Sequence, residues 1–192
     1  MRYEIAIAAI FCRLGFLIEF LDHGNPQAPH CEFIATHPEK KIRIAIEAKS
    51  RARKGVIHQP GSSTENELMK LDVRSRIKDA IKQRPSGMSF MIFIDINSPL
   101  TPGVAFPEKP WFTEIERNIE GVFGKPSEND TSPVNAVFFT NFSFHYQTEH
   151  EASPEEHVSV WFRSTENPLP DFEIFGLLKS GLDHYGNVPD LE

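Results

Sequence analysis

From Met88 to Ile96 only Ser89 and Asp95 interrupt an apolar series. Such a run predicts a strand buried on both faces, which the rest of the chain must cover from two sides. The segment leading into it, Thr64 to Arg84, predicts a single long helix. Ser63 or Thr64 can serve as its N-cap, Glu65 and Glu67 suit the positive end of the helix dipole, and Lys82 and Arg84 suit the negative end. Met69, Val73, Ile77, Ala80 and Ile81 form an apolar stripe, and Lys70, Arg74 and Lys78 form a basic one at helical spacing.

Upstream, Tyr3 to Leu14 predicts a helix buried on most sides and ended by Gly15. Phe16 to Leu21 reads as a strand closed by the turn cluster Asp22 to Pro26, and His30 to Thr36 as a second strand. Lys41 to Lys49 alternates, with Ile42, Ile44 and Ile46 on one side and Arg43, Ala45, Glu47 and Lys49 on the other. Downstream, four prolines between Asn97 and Pro110 predict an ordered loop or lid. A short helix from Trp111 to Ile119 and strands from Val134 to Phe144 and His157 to Phe162 follow, before an acidic tail after Ser164. The fold class expected is α/β, in one domain covering residues 1–192.

Composition narrows the function. A content of 16 Phe among 192 residues excludes a disordered chain, and two cysteines cannot build a disulfide framework. Met1 to Cys12 imitates a secretory leader, but Glu4 and Arg13 bound the apolar run, which favours a buried helix of a cytoplasmic protein with no membrane partner. The net charge of −7 conceals a polarity, because residues 40–84 carry 13 basic and 5 acidic side chains. A stretch of that sign can attract phosphate while the acidic remainder repels non-specific contact.

The chemistry concentrates at Glu47-Ala48-Lys49. Period-two geometry projects Glu47 and Lys49 from one face at a strand end, and a hairpin would bring Glu32 to the same side. Two neighbouring carboxylates remain ionised together only when a cation joins them, and hard oxygen ligands select Mg²⁺ or Mn²⁺. The acid-x-Lys pattern alone is weak, since 27 acids and 10 lysines give about 1.4 chance matches. The other match, Glu39-Lys40-Lys41, lies in a turn with no strand carboxylate beside it.

The order helix, strand, strand with acid, strand with ExK, helix, strand over residues 3–96 resembles the PD-(D/E)xK phosphodiesterase superfamily. That resemblance implies a restriction-endonuclease-like core: helix, three-strand meander, helix and strand, here with additional C-terminal strands and helices. It also implies Glu32 and Glu47 as metal ligands and Lys49 as the residue that positions or activates the attacking water. Some branches add a glutamate from the first helix, which is Glu4 here, and the Ala48 carbonyl can also reach the metal. The usual Pro-Asp is replaced by Cys31-Glu32, which keeps the ligand type and lengthens its arm by one methylene.

The activity implied is Mg²⁺- or Mn²⁺-dependent hydrolysis of nucleic acid, DNA in preference to RNA. Arg51, Arg53 and Lys54, with Lys70, Arg74 and Lys78 on the following helix, are the expected backbone contacts. A homodimer is left open. Three rival readings stand beside this one. A zinc site from His23, His30, Cys31 and His37 fits no common spacing. GxGxxG, GxxxxGK[ST] and GxSxG motifs are missing from the sequence. A non-catalytic module could use the same basic face for nucleic acid, or Phe138, Phe139, Phe142 and Phe144 for a protein partner, although such aromatics suit a core strand better.

Overall fold

Among the described residues, six strands lie side by side in chain order: β1 (Leu17–Phe20), β2 (Phe33–His37), β3 (Ile42–Ser50), β4 (Ser89–Asp95), β5 (Ala136–Asn141) and β6 (Glu156–Trp161). The computed structural model describes residues 2–21, 30–54, 61–99, 101, 103–124, 131–142, 156–163, 165–170 and 173–184. The first three strands form an antiparallel meander, β3, β4 and β5 run parallel, and β6 returns antiparallel. Among the described residues, five α-helices complete the α/β architecture: α1 (Arg2–Arg13), α2 (Glu65–Met69), α3 (Val73–Lys82), α4 (Pro110–Phe123) and α5 (Glu173–Asp183).

Handedness decides the layers. Right-handed crossovers between successive parallel strands place their helices on one face, and α3 and α4 do lie together there, over Ala45, Phe90, Ile92, Ile94, Val137 and Phe139. Helices α1 and α5 cover the opposite face, over Phe33, Ile44, Ile46, Phe93 and Phe138. All seven residues of β4 are buried, as the apolar run predicts. Strand β3 departs from its alternation, because α3 also covers its second face and buries Ala45 and Glu47 completely.

The helix expected over Thr64 to Arg84 is two helices. Thr64 does cap the first, in a capping box with Glu67, but the chain turns at Lys70 to Asp72, with Asp72 in the left-handed region at φ 53°. Packing explains the break. In a continuous helix Leu71 would point about 200° away from Met69, off the apolar stripe, whereas the turn buries it beside Val73 and Ile77. Asp tolerates the left-handed conformation better than most residues. Helix α4 is longer than the expected Trp111 to Ile119 and begins with Pro110 in its first turn, where a missing N–H costs nothing. Helix α5 has no counterpart in the sequence reading. The Asp22 to Pro26 turn, His23 and Phe144 lie outside the described residues. Among the described residues, no helix is long and apolar enough to cross a membrane.

Candidate active site

Strand register brings the acids together. Phe33 pairs with Ile46 in the β2–β3 ladder, and Glu32, just before β2, donates its backbone N–H to the Ile46 carbonyl at 3.0 Å, which sets it beside Glu47. Lys49 follows on the same face of β3. Its ammonium forms an ion pair with Glu47 and lies 3.7 Å from Glu32 Oε1. The Glu47 side chain is fully buried, while those of Glu32 and Lys49 retain 14% and 25% exposure, so the site opens to solvent on the Glu32 and Lys49 side.

Gln83, just beyond α3, closes the buried side. Its amide is satisfied with the nitrogen turned towards Glu47, donating to Oε1 at 2.9 Å and Oε2 at 3.1 Å, with the His30 carbonyl at 3.3 Å; the opposite orientation would set the amide oxygen against the carboxylate. Gln83 was missed in the sequence reading, although it continues the buried face of α3 three residues beyond Ala80. A polar residue ending an apolar stripe was the available signal.

Burial pushes the Glu47 carboxyl up to about 7; Lys49 opposes this by hydrogen bond and charge, Glu32 adds to it, and the Glu32 backbone N–H lowers it. The neighbouring Cys31 thiol is pushed up to about 11, chiefly by burial and then by Glu47. His37 accepts from the Lys40 backbone N–H and packs edge-on against Phe16, away from Cys31's face.

Removing Gln83 tests the geometry. Gln83→Leu is expected to cost about 1.5 to 3 kcal/mol at pH 8, where Glu47 is ionised, and much less at pH 5, where it is protonated. Urea unfolding at the two pH values checks this, and equal losses at both would place the role of Gln83 in packing alone.

The remaining sequence candidates scatter. Glu4 sits on α1, which packs on the opposite face of the sheet from Glu47. Arg51 is a correction: it is 5% exposed, and its guanidinium donates to the carbonyls of Ile96 and Glu67, so it ties β4 to α2 from within and cannot reach a surface phosphate. Arg53 is half-buried and donates to Asn97 Oδ1 at 3.1 Å, and Lys54 is exposed. Lys70, Arg74 and Lys78 are exposed around the α2–α3 turn, with Lys70 outside α3 and not on one continuous stripe. Ala48 turns its side chain into the α1 side of the core.

The donor set at the strand end is two hard carboxylates beside one ammonium, which suits Mg²⁺ or Mn²⁺. Among the described residues no cluster of three His, Cys, Asp or Glu side chains forms, so further ligands would be the Ala48 carbonyl and solvent. Comparison of the chain with family models, curated proteins and solved structures finds no match in any of the three.

Proposed function

We propose that the protein is a metal-dependent phosphodiesterase of the PD-(D/E)xK type, with a restriction-endonuclease-like core, that hydrolyses nucleic acid, DNA in preference to RNA, in the cytoplasm. The observation that carries this reading is the convergence of Glu32, Glu47 and Lys49 at the ends of two paired strands. The antiparallel meander followed by a helical crossover to a parallel strand supports it, as does the basic stretch over residues 40–84.

Glu32, Glu47 and the Ala48 carbonyl would hold Mg²⁺ or Mn²⁺, which when bound lowers the pKa of an attacking water and neutralises phosphate charge. Lys49, the most solvent-accessible of the three side chains, offsets charge developing on phosphorus. Gln83 holds Glu47 in one rotamer by donating to both of its oxygens. Arg53, Lys54, Lys70, Arg74 and Lys78 contact the backbone of the substrate, which positions it without reading its sequence.

The test is calorimetric titration of Mg²⁺ and Mn²⁺ into wild type and Glu47→Ala, followed by cleavage assays on a panel of DNA and RNA. Metal binding and cleavage in the wild type, both lost in Glu47→Ala, are expected. The alternative is a catalytically inactive nucleic-acid- or protein-binding module on the same fold. One observation favours it: the Lys49 ammonium already stands between the two carboxylates and offsets one of their charges. Nucleic-acid binding without metal uptake or cleavage would decide for that alternative.

A further inference from the structure

A cavity of about 430 Å³ opens beside the α2–α3 turn, some distance along α3 from Glu47. Lys70, Arg74 and Lys78 line one side, and Glu114 and Asn118 of α4 line the other. Between them lie Leu71 and Val73, 2% and 1% exposed. Lys40, Arg43, Lys82, Arg84, Lys109, Arg117 and Lys179 each pair with a carboxylate. Among the described residues no ion pair or side-chain hydrogen bond engages Lys70, Arg74 or Lys78, so three like charges line one concavity.

The opposite wall is organised differently. Asn118 donates its amide to the Glu114 carbonyl at 2.7 Å and to Glu114 Oε1 at 2.6 Å, while Arg117 pairs with Glu114 Oε2 at 3.0 Å. Glu114 is thereby largely neutralised, and Asp72 is the remaining acid at the rim. With its nitrogen committed, Asn118 offers its amide oxygen as an acceptor.

Cations on one side and a neutral hydrogen-bonding wall on the other fit a nucleotide, with its phosphate on the cations and base amino groups towards Asn118. The volume lies within the range of roughly 300 to 1,000 Å³ common to small-ligand sites. It admits one splayed nucleotide and is too small for a duplex.

We propose that this cavity binds one nucleotide unit of a single-stranded nucleic acid, which makes the protein selective for single strands or unpaired ends. The proposal rests on the nucleic-acid reading above and adds the substrate class. Arg74 and Gln83 are nine residues apart, about 13 Å at helical rise and about half a turn around the axis, so the cavity is a place separate from the strand-end site.

The test uses fluorescence anisotropy with a labelled single-stranded DNA, its duplex and a single-stranded RNA, in EDTA so that nothing is cut. Wild type is compared with Arg74→Glu/Lys78→Glu and Asn118→Ala. Single strands are expected to bind at least about tenfold more tightly than the duplex, and the double charge reversal to remove that binding by a similar factor or more. Asn118→Ala should weaken single strands several-fold and leave the duplex unchanged. Equal binding of duplex and single strand would overturn the proposal, as would indifference to the charge reversal. Binding is read in EDTA, independent of metal uptake and cleavage, which separates this result from the fate of the catalytic reading.

Discussion

Lys109→Ala is expected to lower the unfolding free energy by about 3 to 5 kcal/mol, a large part of the stability of a domain this size. Lys109 is 5% exposed and caps the start of α4, where its ammonium meets Glu156 Oε1 at 2.6 Å and the Thr101 carbonyl and hydroxyl oxygens at 3.0 Å each. Three protons find three acceptors. Glu156 opens β6 opposite Asn141, 9% exposed, and its Oε2 has no hydrogen-bond partner. Removing the lysine leaves that carboxylate buried without its cation, and this penalty exceeds whatever the intact pair contributes. Lys109→Met/Glu156→Leu should therefore recover most of the loss. Urea unfolding of wild type, Lys109→Met, Glu156→Leu and the double variant in a double-mutant cycle, with Lys109→Ala alongside, checks both statements, and a Lys109→Ala loss below about 1 kcal/mol would mean that water reaches the pair.

This pair marks a boundary of what the sequence reveals. The proline-rich segment between Asn97 and Pro110 is legible as irregular backbone, but its anchor depends on a residue 47 positions further along the chain, a distance no local pattern spans. Strands were the easier elements. The run from Met88 to Ile96 identifies β4, since burial on both faces writes itself into composition, and alternation locates β3. What alternation could not show is that the polar side of β3 is also covered. Ala45 and Glu47 read as one wet face because the period-two rule describes a strand, whereas the cover comes from α3, whose placement follows from the handedness of the crossover. The break at Leu71 was hidden for a related reason. Capping and stripe signals at the two ends of Thr64 to Arg84 are genuine, and each belongs to a different helix.

The candidate site divides in the same way. Glu32, Glu47 and Lys49 could be placed together from strand period and one hairpin, both short-range features. Gln83 could not, because it arrives from the far end of a crossover. Arg51 misled, since a basic residue two positions beyond Lys49 looks like surface charge until the carbonyls of Ile96 and Glu67 are seen to surround its guanidinium. Charge counts report sign and position along the chain, and say nothing about which guanidinium is spent on the fold.

The burial of Glu47 gives the protein an unusual dependence on pH. Its carboxyl is raised from an ordinary value of 4.5 to about 7, so between these values the folded state binds a proton that the unfolded state has released. Stability must then fall as pH rises through this window, by roughly 3 kcal/mol in total for a group with no exposed side-chain surface. This is the reverse of the Asp183 case, where Lys179 and His157 hold the carboxyl down and stability is lost as pH falls. A divalent cation at Glu47 would compete with the same proton. Apparent Mg²⁺ affinity is therefore expected to rise about tenfold per pH unit up to about pH 7 and to level off above it, with one proton released per ion at pH 6 and almost none at pH 8. Calorimetry in buffers of different ionisation enthalpy counts those protons directly. Glu47→Gln should abolish both the metal binding and the fall in stability between pH 4.5 and 7. If it removes the metal and keeps the stability slope, another buried acid is titrating; if it keeps both, Glu47 is neither ligand nor proton carrier, and the strand-end site loses its chemical basis.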